Sequence, residues 1–495
     1  MRSATQLIAY ADRFGGTLCG LRSLLDNELE GLFGGVHILP FFDPIDGADA
    51  GFDPTNHLNV DARLGSWDDI ADIAANYSVM ADVIVNHMSA DSPQFRDVLD
   101  RGSASVDWEL FLRKQDIFPG QDASSDNFSR IYRPRSGAPF TTIELSDGSC
   151  HEFWTTFSAR QLDINVESRS GAAYLQSIIE KFAGAGIGEI RMDAAGYAIK
   201  RRGTSCFMLP ETFEFITHFS SRAAELDIST LVEIHSHYQT QVAIASTVGR
   251  VYDFALPPLV LHTLYSNDSE PLKRWLRIAP RNCVNVLDTH DGIGILDVAR
   301  QGENEGLLAD ADVEALVETI HKKTGGSSRR ASGHAASNLD IYQVNSTYYD
   351  ALGGDDCDYL IARAIQLFSP GRPQIYYVGL LAGANDDSLV EQTGVGRDIN
   401  RHHYTLEEIQ ASIQRPVVSS LFELIRIRNS ARALNGEFSL PECSSTDLIL
   451  SWNDGTSSAC LQIDLSARQA TITLAEGDEV RNFTIDGNRL FQTAD

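Results

Sequence analysis

Short β-prone runs recur along the chain, and between them the apolar positions change to a helical period. Strand-like runs lie near 5–10, 35–39, 81–85, 188–192, 230–234, 250–254, 284–288 and 374–378. Most gaps are long enough for one helix, which is what returning to a parallel strand requires. Helix signals fill those gaps. Ser66 followed by Asp69 reads as an N-cap with an acidic first turn, opening a helix over 67–76. Val313, Leu316, Val317 and Ile320 form an apolar helical stripe that ends at Lys322 and Lys323, with Gly325 beyond as a stop. Strands alternating with helices in this way predict an α/β protein built on a (β/α)8 TIM barrel.

The spacing is uneven in two places. Roughly a hundred residues separate the third and fourth runs, and nearly ninety separate the seventh and eighth, far more than loops need. Both gaps predict subdomains inserted above the C-terminal face of the barrel. The second contains Thr324-Gly-Gly-Ser-Ser-Arg-Arg-Ala-Ser-Gly333, which reads as a polar, mobile loop. Beyond about residue 433 the helical pattern stops, and 448–452, 459–463 and 470–474 alternate like strands. The expected plan is a barrel from 1–86, 168–292 and 353–433, inserts at 87–167 and 293–352, and a small C-terminal β domain at 434–495. No internal repeat is visible.

Composition narrows the partners. A chain of 495 residues exceeds one compact core. Its net charge of -28 argues against nucleic acid and anionic membrane, which both demand a basic surface. An anionic substrate would need a local arginine cluster to overcome that field. Seven cysteines without a C-x-x-C pair suit neither a zinc ribbon nor a disulfide framework. With no signal-like leader and no run of about 18 apolar residues, a cytoplasmic location is expected.

The chemistry gathers at strand ends, where barrels build their sites. Asn86 and His87 follow the third strand, Arg191 and Asp193 the fourth, Glu233 the fifth, and His290 and Asp291 the seventh. A lone Asp there is commonly a helix cap or turn former. Three carboxylates from three strands are harder to explain structurally, because packed charges raise each other's pKa. Cleaving a glycosidic bond does use them. An enzyme acting on a glucoside is predicted.

The set Asp82-Val-Ile-Val-Asn-His87, Arg191-Met-Asp193, Glu233 and His290-Asp291 resembles the four sequence regions that define the α-amylase family of glycoside hydrolases. Ile38-Leu-Pro-Phe-Phe42, Gly47-Ala-Asp-Ala-Gly-Phe-Asp-Pro54, Leu64-Gly-Ser-Trp-Asp68, Tyr132-Arg-Pro-Arg135, Asp253-Phe-Ala-Leu-Pro-Pro258, Asn338-Leu-Asp-Ile-Tyr-Gln343 and Gly396-Arg-Asp-Ile-Asn-Arg401 are similar to its sucrose phosphorylase branch. The likeness covers the chain up to the terminal β domain.

That resemblance implies Asp193 as nucleophile and Glu233 as general acid/base, in a retaining mechanism whose carboxyls stand only ~5–5.5 Å apart. Arg191, on the same strand face, is expected to lower the pKa of Asp193. Glu233 must hold a proton, so less cationic surroundings are expected for it. Asp291 would bind sugar hydroxyls and steady the cation-like transition state, with hydrogen bonds from His87 and His290. Asp49 and Arg397 match the pair that closes the far end of the glucose, and Phe52 offers an apolar platform. Gln161 is a further contact; Tyr197 reads equally as a contact or as a core aromatic. Arg135 and Tyr342 match phosphate-binding positions, and Asp340 and Gln343 contacts to a fructosyl group; Arg133 reads better as an ordinary loop arginine than as a second phosphate contact.

The implied reaction converts sucrose and inorganic phosphate to α-D-glucose 1-phosphate and fructose, with transglucosylation as a side activity. No cofactor is expected, and no metal, although many relatives hold calcium near the Asn-His motif. A monomer or homodimer is expected. The rivals are a sibling phosphorylase acting on glucosylglycerol, glucosylglycerate or sucrose 6'-phosphate, a hydrolase or transglucosidase, and a scaffold that kept the barrel. The chain departs from the pattern at Met192, at Ile341 and in its short terminal domain.

Overall fold

The computed structural model describes residues 4–47, 49–120, 128–133, 137–333 and 343–493. Eight parallel strands close into a barrel: β1 (Gln6–Ala9), β2 (Gly35–Ile38), β3 (Ser78–Ile84), β4 (Glu189–Asp193), β5 (Ser229–Val232), β6 (Arg250–Asp253), β7 (Cys283–Asn285) and β8 (Arg372–Tyr376). Each strand pairs with its neighbour in sequence, and β1 closes on β8 with Gln6 opposite Gln374. Most strand positions are buried, because side chains on one face fill the barrel while those on the other meet the helical ring. The N-terminal end of the barrel is sealed by polar pairing: Arg372 Nη1 donates to Glu189 Oε1 at 2.7 Å, and Gln374 Nε2 to Gln6 Oε1 at 2.8 Å.

The predicted helix signals form real caps. Ser66 N and Oγ both donate to Asp69 Oδ2, at 2.8 and 2.9 Å, at the start of the helix Trp67–Ala74. Val313, Leu316 and Ile320 are buried on the helix Asp310–Lys323, and Gly325 follows it with φ 59°.

Between β3 and β4 the chain builds two small antiparallel pairs, His87–Ser89 with Gln161–Asp163 and Phe140–Glu144 with Cys150–Trp154. Between β7 and β8, Ile293–Gly294 pairs with Gln343–Val344. The supposed loop in this second insert is a correction to the sequence reading: Ser327–Gly333 is a helix. Its serines are inward, not solvated. Ser328 Oγ lies 2.8 Å from His321 Nδ1, and Ser327 Oγ accepts from Asn385 Nδ2 at 2.9 Å.

From Glu437–Ser439 to Arg489–Thr493 the chain forms a six-stranded antiparallel meander. Its buried alternate positions include Leu448, Leu450, Leu461 and Ile472. Trp452 Nε1 donates to Phe368 O at 2.8 Å, and Arg468 Nη2 pairs with Asp355 and Asp358 at 2.5 and 2.9 Å, which fixes the sheet to the barrel helix Asp356–Phe368. No helix among the described residues is long and apolar enough to cross a membrane.

Candidate active site

Residues 191 and 193 project to the same side of β4 because they are two apart on a strand. Arg191 is buried at the centre of the C-terminal face, 2% exposed. Its Nη1 lies 2.6 Å from Asp82 Oδ1 and 2.9 Å from Asp193 Oδ1, and its Nη2 lies 2.9 Å from Glu233 Oε1. Asp82 sits opposite Arg191 in the β3–β4 register and is held from β2 by His37 Nε2 at 3.0 Å. Directly after the nucleophile candidate, Ala194 turns into the left-handed region at φ 55°, and its N–H points toward Glu233 Oε2 at 3.4 Å. Four adjacent strands therefore contribute to one charge cluster. Asp82 and His37 carried no assigned role in the sequence; a carboxylate inside an apolar strand was the available signal.

Two electrostatic expectations need correction. The surroundings of Glu233 are not less cationic, since Arg191 contacts it at the same 2.9 Å as Asp193. Nor does Arg191 prevail at Asp193: burial and then the charge of Glu233 push that carboxyl well above the usual range, with Arg191 opposing. Burial also opposes charge on Asp82, yet His37 and Arg191 bring it down to about 2. One guanidinium thus faces three carboxyls, of which Asp82 is firmly ionised. The raised Asp193 pKa is the direction that a neighbouring carboxylate imposes. A retaining double displacement starts with one of its two carboxyls ionised and the other protonated.

A second group of side chains lies beside this pair. Phe52 stacks on His290, with centroids 4.6 Å apart and planes at 10°, and also lies 5.4 Å from the Arg191 guanidinium. Asp49 and Ala50 both occupy the left-handed region, at φ 58° and 54°, a strained turn beside the pocket. Arg397 Nη1 is 2.8 Å from Asp291 Oδ1 and 3.6 Å from Asp49 Oδ1. The expected Asp49–Arg397 pair is thus part of a larger group in which Asp291 is the nearer partner. Buried Arg401 joins it, with Nη2 3.7 Å from Asp49 and 4.0 Å from Asp291. Burial would raise Asp291, but Arg397, His290, Arg401 and His235 together hold it well below the carboxylate range. Burial takes His290 down to about 3, so it stays neutral at neutral pH. His87 Nε2 lies 3.1 Å from both Phe52 O and Gln161 Nε2. Tyr197 is buried in an aromatic group, its ring 4.7 Å from Phe207, 5.1 Å from Phe157 and 6.2 Å from Tyr132.

On the acceptor side, Arg135, Asp340 and Tyr342 lie outside the described residues, as does Ile341. Gln343 is described and reaches the site: its Nε2 is 3.3 Å from His235 Nε2, and its Oε1 accepts from Arg397 Nη2 at 3.4 Å. Arg133 takes a structural role. Its Nε and Nη2 donate to Thr156 O and Thr155 O at 3.1 and 3.0 Å, and its Nη1 to Gly137 O, so it braces backbone. His235 was not singled out in the sequence, although it stands two residues after Glu233. It stacks on Phe254 at 3.9 Å, with Nε2 3.7 Å from Glu233 Oε1 and Nδ1 3.5 Å from Asp297 Oδ2. Gln241 Nε2 fixes Asp297 Oδ1 at 2.6 Å. Burial works against charge on His235, but Asp297, Glu233 and Asp291 outweigh it and raise its pKa. Donor atoms of Glu233, His235 and Asp291 all fall within 4.8 Å of one another, close enough for a metal ion. The fit is poor, because Arg191 and Arg397 already neutralise those carboxylates at 2.9 and 2.8 Å.

Comparison with known proteins adds the following. The family model for the α-amylase catalytic domain matches residues 5–284. A sucrose phosphorylase from Agrobacterium vitis is 53% identical over 475 residues, covering 96% of this chain and 97% of the relative. The sucrose phosphorylase of Bifidobacterium adolescentis is 48% identical over 468 residues, covering 94% and 92%. Among solved structures, sucrose 6F-phosphate phosphorylase from Thermoanaerobacter thermosaccharolyticum superposes with a TM-score of 0.90 at 35% identity, covering 97% of this chain and 98% of that one.

Proposed function

The chain belongs to the α-amylase family of glycoside hydrolases, and we propose that within it this enzyme acts as a sucrose phosphorylase. The observation that carries the reading is the Arg191 guanidinium, held 2.9 Å from both Asp193 and Glu233. It makes one unit of a nucleophile and a proton donor from adjacent strands. Asp193 attacks the anomeric carbon of the glucosyl group from the face opposite the leaving oxygen. Glu233 gives its proton to that oxygen, and fructose departs. An oxygen of inorganic phosphate then attacks the same carbon, the bond to Asp193 breaks, and the proton carried by phosphate returns Glu233 to its acid form. Two inversions leave α-D-glucose 1-phosphate.

Between these steps, phosphate must approach a carboxylate in a chain of net charge -28. His235, raised toward its cationic form by Asp297, Glu233 and Asp291, supports capture of an anion beside Glu233. Gln343, a neutral amide next to His235, suits an uncharged fructosyl group in the other half-reaction. Asp49, Phe52, His87, Gln161, Tyr197, Asp291 and Arg397 are assigned to the glucosyl pocket, and the family resemblance gives phosphate and fructosyl contacts to Arg135, Asp340 and Tyr342. For assembly the reading is a monomer or a homodimer. All seven thiols are free, in keeping with a cytoplasmic enzyme.

The test is product analysis with sucrose, with and without inorganic phosphate, assaying glucose 1-phosphate and free glucose separately. Phosphate-dependent α-glucose 1-phosphate supports the proposal. Free glucose alone, whatever the phosphate concentration, makes the enzyme a hydrolase.

A further inference from the structure

Lys200 is buried, 3% exposed, just past the nucleophile turn, and its ammonium is enclosed by oxygens from three separate segments. Nζ donates to Asn86 Oδ1 at the end of β3 at 2.8 Å, and to Tyr197 O in the turn after β4. It also pairs with Asp163 Oδ2 in the first insert at 2.7 Å. Asp163 is itself locked, accepting from Thr156 N at 2.9 Å and Thr156 Oγ1 at 2.5 Å. An ammonium has three protons, and three acceptors take them.

This enclosure has a consequence at the next residue. Asn86 presents Oδ1 to the ammonium and therefore Nδ2 to His87, whose Nδ1 is 3.4 Å away. Turning the Asn86 amide over would set an NH2 group against Nζ, two donors at hydrogen-bond distance, with a charge on one of them. That orientation is closed. An amide donor facing Nδ1 makes Nδ1 the acceptor nitrogen of His87 and puts its proton on Nε2. Nε2 is the nitrogen 3.1 Å from the Phe52 carbonyl, which needs a donor. Gln161 follows: its amide rotates to offer Oε1 to Nε2–H, because two N–H donors cannot share that 3.1 Å contact. No ammonium opposes that rotation.

We propose that Lys200 is a positioning residue which, by fixing the Asn86 amide, sets the Nε2–H tautomer of His87 and so the hydrogen bond that ties His87 to the Phe52 carbonyl at the glucosyl site. The proposal rests on the reading of these strand ends as a glucosyl site. Lys200 touches no sugar itself; it acts through Asn86.

The test combines a spectroscopic and a kinetic readout. Two-bond proton–nitrogen correlation on histidine-labelled protein, with His87 assigned by its loss in His87→Asn, reports the tautomer directly. Wild-type His87 is expected as pure Nε2–H. Lys200→Met, which fills the space without charge, is expected to show mixed tautomers and about tenfold lower kcat/KM for α-glucosyl fluoride, the worth of one hydrogen bond. An Nδ1–H tautomer in the wild type overturns the proposal without any variant, so it stays testable if Lys200→Met does not fold. A folded Lys200→Met with pure Nε2–H or unchanged turnover overturns it too. Fluoride release by the wild type needs a glucosyl pocket but no particular acceptor, so its absence contradicts the site reading separately.

Discussion

Arg397 Nη1 lies 2.8 Å from Asp291 Oδ1. The charge proposed to close the far end of the glucosyl pocket is therefore also the nearest cation on the carboxylate proposed to steady the transition state. Arg397→Gln should lower kcat/KM for sucrose on the order of 100-fold, about 2.7 kcal/mol of transition-state stabilisation. The pH profile carries the sign. Asp291 has a depressed pKa in the fold, so its contribution is present above the unfolded carboxylate pKa and is lost as pH falls through the folded value. Removing Arg397, the largest of the groups that lower it, must make the variant lose stability to acid at higher pH than wild type in urea unfolding. Identical acid profiles contradict the pairing.

Glu233→Gln should separate proton donation from nucleophilic attack. After burial, the charge of Glu233 is the main cause of the raised Asp193 pKa. The amide removes that charge and leaves Arg191 to Asp193 and Asp82. Turnover of sucrose should fall on the order of 1,000-fold, while α-glucosyl fluoride, whose leaving group needs no proton, should lose far less. Its acid limb should move to lower pH. Equal losses on both donors contradict the assignment of Glu233 as the acid.

His57 is fully buried beside Tyr174, and burial takes its pKa down to about 3. A base with a depressed folded pKa contributes full stability above about 6.5, and that contribution falls with pH by about 1.4 kcal/mol per unit until the folded value is reached. Urea unfolding of wild type and His57→Gln should give a stability difference that shrinks by that slope between about pH 6.5 and about pH 4.5. A pH-independent difference contradicts a neutral buried imidazole.

Gln343 joins Arg397 to His235, so it touches the glucosyl side with its oxygen and the acceptor side with its nitrogen. Gln343→Ala should raise the KM for fructose in the synthetic direction on the order of tenfold, a single lost hydrogen bond, and change the KM for glucose 1-phosphate much less. Equal effects on both would move Gln343 out of the acceptor role.

The barrel was legible because its signals are local and periodic. Eight buried apolar runs, separated by capped helices, leave few alternatives once connections are short and right-handed. Ser66 and Asp69 illustrate this, since their capping contacts span three residues. The misreading of Ser327–Gly333 has the opposite cause. Its serines look solvated in sequence, and only the packing of Asn385 and His321 turns them inward. Asp193 and Glu233 could be found because each stands at the end of a strand, and Asp291 because it lies in the loop that follows one. His235, His37 and Asp297 could not be ranked, because their roles arise from pairings across 45 to 62 residues. Arg133 and Arg135 look alike in sequence, yet backbone carbonyls occupy the guanidinium of the first.

The most direct measurement is a trap and chase on Glu233→Gln. Incubation with α-glucosyl fluoride, followed by proteolysis and mass spectrometry, should place one glucosyl group on the peptide bearing Asp193. Adding inorganic phosphate should discharge it as α-glucose 1-phosphate. A glucosyl group on another residue, or one that water removes but phosphate leaves untouched, contradicts the account.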